Sequence, residues 1–190
     1  MSNILITGAN GQLGNCLRDL AHNDDRHVFF YTDVDELDIT SIEQVEDYVS
    51  KHYIEVIINA AGYTAVDKAE SDSERCFLIN RDATRNLALV TKRHDIFLVH
   101  ISTDYVFDGN SDFPYKPSDP VNPQSVYGRS KVEGEKAVFE TGCRAVIIRT
   151  SWLYSEYGNN FVKTMLRLGR GHDEIRVVDD QKGGPTYAGD

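Results

Sequence analysis

Cysteine is scarce in this chain, three residues in 190, and the three do not cluster. Cys16, Cys76 and Cys143 are far apart and odd in number, which argues against both the paired spacing of a zinc site and an even disulfide framework. The expectation is a reducing, cytoplasmic setting, with the thiols packed as small hydrophobes and no bound metal. Positive charge is also short. Twenty Lys and Arg face thirty Asp and Glu, a net charge of −10, so nucleic acid and anionic membrane surfaces are disfavoured as partners. A local pocket can still take a small anion. No apolar run is long enough to cross a bilayer, and Met1-Ser2-Asn3 leads into a short apolar stretch without a signal-peptide pattern. Internal repeats, low-complexity tracts and linkers are missing as well. What remains, 41% hydrophobic and 26% charged residues, is the composition of a soluble globular protein long enough for one domain with a real core.

Short apolar runs alternate with helical patterns along the chain. Ile4 to Thr7, Val28 to Thr32, Ile54 to Ile58, Ile96 to Ile101, Ala145 to Ile148 and Ile175 to Val178 read as six buried strands. Between them, Leu13, Cys16 and Leu17, then Ile42, Val45 and Val49, then Cys76, Ile79, Ala83, Leu87 and Val90 recur at helical spacing. A helix runs from Tyr127 to about Glu140, a shorter one from Phe161 to Leu168, and Thr64 to His94 reads as largely helical. Phe107 to Pro123 is rich in Pro, Gly, Asp and Asn and reads as a loop. Alternation of this kind implies an α/β doubly wound parallel sheet with right-handed crossovers.

Small and polar residues gather at the ends of the predicted strands. Gly8-Ala9-Asn10-Gly11-Gln12-Leu13-Gly14 follows the first strand and opens a helix, as a dinucleotide-binding loop does. Its spacing is G-x-x-G-x-x-G rather than G-x-G-x-x-G. Asp33 ends the second strand, nineteen residues beyond Gly14, where an acid would accept from an adenosine ribose; a strand-end turn residue is the plainer reading. Asn59-Ala60-Ala61-Gly62 ends the third strand and suits close approach of a ligand. Asn80 is either a polar boundary residue or a buried brace. Ser102-Thr103 ends the fourth strand, as a cap or as part of a ligand site.

Tyr127 and Lys131, four residues apart, share one helical face. A phenol titrates near ~10, and a fixed ammonium beside it lowers that value. A proton donor tuned towards neutrality suits carbonyl reduction, where oxygen gains charge as hydride reaches carbon. The glycine loop, the acid, Ser102-Thr103 and the Tyr127/Lys131 pair agree in order and location.

On these features the chain resembles the extended short-chain dehydrogenase/reductases, with a Rossmann-type fold. The longer stretches Asn59 to Glu70, Ser102-Thr103-Asp104-Tyr105-Val106-Phe107, Arg149-Thr150-Ser151-Trp152 and Asp180 to Thr186 resemble those of dTDP-4-dehydrorhamnose reductases. That resemblance implies reduction of the C4 keto group of dTDP-4-dehydro-L-rhamnose to dTDP-L-rhamnose, for surface polysaccharide, with NADH or NADPH as cofactor. It implies Tyr127 as proton donor, Lys131 as the group that lowers the phenol pKa and holds the nicotinamide ribose, and Thr103 on the reacting oxygen. The implied cofactor set is Gly8, Asn10, Gly11, Gln12, Leu13, Gly14, Asp33, Asp38, Ile39, Ala60, Ala61 and Gly62, with Tyr127 and Lys131. The nucleotide-sugar substrate would meet Thr64, Val66, Tyr105 and Trp152, although the indole of Trp152 could equally belong to the core. Asp33 is expected to make NADH at least as good a cofactor as NADPH.

Related 4,6-dehydratases carry Thr-Asp-Glu where this chain has Thr103-Asp104-Tyr105, so the base for water elimination is absent. A second reading is a dinucleotide-binding regulatory subunit similar to the β subunit of methionine adenosyltransferase. Residues 1–150 are expected to form the dinucleotide-binding domain. Residues 151–190 would continue the sheet and begin a substrate-binding part that in the family runs further, so the chain reads as truncated. A homodimer is compatible with this reading.

Overall fold

A computed structural model describes residues 1–190. Five parallel strands form the central sheet in the order β2-β1-β3-β4-β5. They are β1 (Asn3–Thr7), β2 (Val28–Thr32), β3 (Val56–Asn59), β4 (Phe97–Thr103) and β5 (Ala145–Thr150). Strand order reverses between β1 and β3, so the sheet is doubly wound and carries its crevice at the carboxyl ends of the strands. Leu5, Ile57, Leu98 and Ala145 lie in register across β1, β3, β4 and β5. They meet Val45 and Val49 of α2 (Ile42–His52), Leu87 and Val90 of α5 (Thr84–Arg93) and Val138 of α6 (Val126–Thr141) in the main core. On the opposite face α1 (Gln12–Ala21) places the guanidinium of Arg18 4.8 Å from the ring centroid of Tyr31. No helix is long and apolar enough to cross a membrane.

Two residues beyond the core row the register carries polar side chains instead. Thr7 donates to Asn59 Oδ1 at 2.8 Å, and Asn59 Nδ2 lies 3.1 Å from His100 Nδ1. All three are buried. Burial, with the nearby Lys131 charge adding to it, holds His100 well below its ordinary pKa, so the ring is neutral.

The span from Thr64 to His94 is largely helical, as expected, but in several pieces. A one-turn α3 (Val66–Ala69) is followed by α4 (Ser73–Phe77), a π-helical turn (Leu78–Ala83) and α5. The wider turn carries Asn80 inward, to 1% exposure. Asn80 Oδ1 accepts from Tyr63 N at 2.9 Å, and Nδ2 donates to Tyr63 O at 3.0 Å and to Ser130 Oγ at 2.9 Å. It is therefore a brace between the end of β3 and α6. Cys16 and Cys76 are buried and unpaired, and Cys143 is half-buried.

The expected sixth strand at 175–178 does not form. Val177 and Val178 are 50% and 68% exposed, and the run finds no strand to pair with. The sheet ends at β5. Instead β6 (Leu153–Tyr154) and β7 (Thr186–Tyr187) make a separate two-stranded parallel pair, with α7 (Phe161–Gly169) between them in the chain. Ile175, Val177 and Val178, with Arg176 among them and acidic residues on both flanks, fit a strand pattern locally, but a strand also needs a partner edge.

Gly134 tests how closely α6 is packed. A Cβ there would lie 2.2 Å from the carbonyl oxygen of Asn80. In an open helix Gly→Ala stabilises by about 1 kcal/mol. Here Gly134→Ala is expected to destabilise by about 1–3 kcal/mol, as overpacking does, measured by thermal or urea unfolding. An unchanged or raised stability would show that α6 moves away from the π turn easily.

Candidate active site

α6 begins where the sequence provides a cap: the Ser125 hydroxyl accepts from Gly128 N at 3.0 Å. Glu70 adds an anionic acceptor at the same end, taking the Val126 N–H at 2.8 Å. A Cβ on Gly128 would lie 2.3 Å from Tyr105 O, so the first turn of α6 sits in backbone contact with the 3₁₀ turn after β4 (Asp104–Val106). This contact brings Tyr127 beside Thr103 and Tyr105. The Tyr105 and Tyr127 rings meet edge to face with centroids 5.6 Å apart. Thr103 Oγ1 accepts from Tyr105 N at 3.2 Å and donates to Asp104 Oδ1 at 3.1 Å. One turn further along α6, Lys131 Nζ donates to Ile101 O of β4 at 2.6 Å.

Burial governs the electrostatics here. Thr103, Tyr127 and Lys131 are 6%, 9% and 5% exposed. Burial pushes the Tyr127 phenol up to about 12; the Thr103 hydroxyl pulls it down and Asp104 adds to the rise. Burial brings the Lys131 ammonium down to about 8, opposed by Glu135. The Asp104 carboxyl is raised, again mainly by burial. The expected lowering of the phenol by Lys131 is therefore not found in this arrangement. The i, i+4 spacing does put both groups on one face, but the ammonium is committed to the Ile101 carbonyl and desolvation of the phenolate prevails.

The glycine loop curls over the end of β1. Gly8 has φ +66°, and a Cβ there would lie 2.6 Å from Ala61. Gly11 caps α1 with no side-chain acceptor, which leaves the N–H groups of the first turn open to an anion. A cleft of about 1070 Å³ runs from this loop to α6. Of the residues expected to bind cofactor, Gly8, Gly11, Gln12, Leu13, Asp33, Asp38, Ile39, Ala60, Ala61, Gly62, Tyr127 and Lys131 line it. So do Thr103, Thr64, Val66, Tyr105 and Trp152. Trp152, 40% exposed and at φ +45°, faces the cleft rather than the core.

Asn10 and Gly14 are not brought to the cleft. Asn10 turns outward, and its N–H donates to Asp33 Oδ2 at 3.0 Å. Gly14 lies beneath the loop, where a Cβ would be 2.5 Å from Gly8 O; its lack of a side chain serves helix–loop packing. Asp33 also accepts from Val34 N at 2.9 Å, so both carboxylate oxygens already hold backbone.

The sequence pattern did not single out residues 153–160, which follow β5 and Trp152. Gln12 Nε2 donates to Leu153 O at 2.9 Å, and Asn160 Nδ2 donates to Gln12 Oε1 at 2.8 Å. Tyr157 donates to Asp19 at 2.6 Å. Gly158 and Phe161 thereby reach the cleft, as do Val177 and Val178. No short motif marks these contacts, since each joins residues far apart in the chain. Arg75 also lines the cleft, and its place at a helix start gave no signal for this.

A stability test follows from Lys131. Its folded pKa, about 8, lies below the ordinary value of 10.5. Between these values the unfolded chain holds more protons, so stability rises with pH through this window and the full burial penalty applies below it. Lys131→Met is expected to remove that slope and to raise the melting temperature at neutral pH by about 3–8 °C. A variant melting below the wild type at neutral pH would show that the bond to Ile101 outweighs desolvation.

Comparison with known proteins places this geometry in a family. The model of the RmlD substrate binding domain matches residues 1–190. A dTDP-4-dehydrorhamnose reductase of Aggregatibacter actinomycetemcomitans is 46% identical over 190 residues, covering 100% of this chain and 65% of the relative. The crystal structure of dTDP-4-dehydrorhamnose reductase from Bacillus anthracis, in complex with NADP, is 44% identical with a TM-score of 0.95, covering 98% of this chain and 66% of that one. The corresponding structure from Clostridium acetobutylicum is 45% identical with a TM-score of 0.94, over 98% and 66%. The chain thus spans about two thirds of the length of these relatives, and they do not favour the reading as a regulatory subunit. On the family match across its whole length, the chain belongs to the RmlD substrate binding domain family.

Proposed function

We propose that this chain binds NADH or NADPH in the cleft and takes part in reducing the C4 keto group of dTDP-4-dehydro-L-rhamnose to dTDP-L-rhamnose. The observation that carries the reading is the convergence of Thr103, Tyr127 and Lys131 at the strand ends, in one cleft with the glycine loop. Residues 1–150 serve as the dinucleotide-binding domain, and residues 151–190 begin the nucleotide-sugar side. The open first turn of α1 and the small residues Gly8, Ala60, Ala61 and Gly62 fit a pyrophosphate and its flanking riboses. When bound, the dinucleotide supplies the hydride.

The side chains supply the rest. A phenol at about 12 is protonated at neutral pH, so Tyr127 stands ready as an acid. A keto oxygen gaining negative charge is more basic than that phenolate, and the proton moves from Tyr127 to it. The Thr103 hydroxyl, turning from Asp104 Oδ1, donates a second hydrogen bond to the same oxygen. The Lys131 ammonium offsets the charge left on the phenolate and holds the nicotinamide ribose. Thr64, Val66, Tyr105 and Trp152 orient the nucleotide-sugar over the buried groups Thr103, Tyr127 and Lys131.

Two measurements test this. Tyr127→Phe is expected to keep dinucleotide affinity within a few-fold and to lower turnover of the keto-sugar by about 10²–10⁴. Turnover at the wild-type rate would remove Tyr127 from the chemistry, and failure of the wild type to bind either dinucleotide would end the whole reading. Asp33 faces the cleft without an arginine beside it, so NADH should bind at least as tightly as NADPH. A tenfold or greater preference for NADPH in titrations of both would show that the carboxylate, held by Asn10 and Val34, is turned from the ribose.

A further inference from the structure

α6 carries one more buried charge. Glu135 lies one turn beyond Lys131 and two beyond Tyr127, on the same face, and is 3% exposed. Its Oε1 accepts from Ser102 Oγ at 2.6 Å and from Arg149 Nε at 2.9 Å, and its Oε2 accepts from Arg149 Nη2 at 2.6 Å. Ser102 and Arg149 are register partners near the ends of β4 and β5, immediately before Thr103 and Thr150. One carboxylate therefore ties the catalytic helix to the ends of two strands. Arg149 extends the junction outward, donating to Pro117 O at 3.2 Å and lying 5.1 Å from the Phe107 ring centroid.

Lys131 has no carboxylate within ion-pair distance, and its hydrogen-bond partner is the neutral Ile101 carbonyl. The titratable groups packed around it are the neutral His100 of β4, the Cys76 thiol of α4, and Tyr127 and Glu135 of α6 itself. Of these Glu135 is the one carboxylate, and it is paired with Arg149 at 2.6 Å. Arg149 of β5 meets the same carboxylate from the far side and offsets part of its field. A buried ion pair seldom stabilises more than apolar residues of the same volume would, so stability alone is a weak reason for its presence.

We propose that Glu135 is a positioning residue of the site: it locks α6 to the ends of β4 and β5, and its charge keeps the Lys131 ammonium protonated at working pH. Burial already brings that ammonium close to neutrality. Without the Glu135 charge it would lose its proton at lower pH, and Arg149, left unpaired, would push in the same direction. The inference rests on the cleft being a dinucleotide site only for its binding readout.

The test follows the side-chain titration of Lys131 by NMR in lysine-labelled protein, alongside NADH affinity from about pH 6 to about pH 10. Wild type should titrate, and lose affinity, near the value of about 8. Glu135→Gln should move both midpoints down by about one unit, while Arg149→Met, which removes the competing cation, should move them up. Both variants loosen the same junction, so a purely structural role predicts the same change in each, whereas a charge role predicts opposite signs. A folded E135Q with the wild-type midpoint would overturn the proposal. If E135Q does not fold, R149M decides alone: an upward shift supports the proposal, and no shift or a downward one overturns it. Should NADH fail to bind while the NMR midpoints shift as stated, the dinucleotide reading falls and the role of Glu135 stands.

Discussion

Two backbone carbonyl oxygens decide where α6 can lie, and the site depends on that placement. Tyr105 O and Asn80 O come so near the helix that any side chain at Gly128 or Gly134 would overlap them. Gly134 sits in the middle of the helix, where the residue type is intrinsically unfavourable by about 1 kcal/mol, and Gly128 sits in its first turn. What they allow is backbone contact on two sides, with the turn after β4 and with the π turn. Tyr127 lies next to one glycine and Lys131 lies between the two. Their height above the strand ends is therefore set by main-chain contact, which has less freedom than side-chain packing.

Close approach also dries the site. With α6 seated this way, Thr103, Tyr127 and Lys131 retain little contact with solvent, and both titratable groups move towards their neutral forms. A neutral phenol and a marginally charged ammonium form a pair suited to giving up a proton rather than taking one. The same desolvation makes the ammonium a burden on the fold. An interior built only for stability would place an apolar side chain where Lys131 is, and its presence there points to chemistry.

Much of this was legible in the sequence because the relevant signals are local. Strand, glycine loop and helix follow one another within the first twenty residues, and Tyr127 and Lys131 are one turn apart. Local pattern could not deliver the π turn at Leu78–Ala83, whose extra residue is fixed by the contact of Asn80 with Tyr63 and Ser130, seventeen and fifty positions away. Nor could it reject a strand at 175–178, because the missing ingredient was a partner edge. The sign of the Tyr127 shift was misjudged for a related reason. Spacing tells which groups share a face, but only the packed structure tells which carbonyl the ammonium chooses and how little water remains.

The glycine loop shows the same division between side chain and backbone. Asp33 holds it from β2 through the Asn10 amide, and Gln12 holds it from the segment after β5 through Leu153 and Asn160. Both side chains carry charge or amide groups that a sequence reading assigns to a ligand. In the fold they spend much of that capacity on the protein itself. The N–H groups of the first turn of α1 are what the loop leaves unclaimed, and an anion is the natural partner for them. A loop anchored at both shoulders loses little further freedom when such a ligand arrives, so more of the contact energy is left for affinity. Because one anchor is Asn160, which also caps α7 through Lys163 N, the segment 153–160 is held against the glycine-loop end of the cleft while Trp152 faces its interior. The two ends of the cleft are therefore built on one connected stretch of chain.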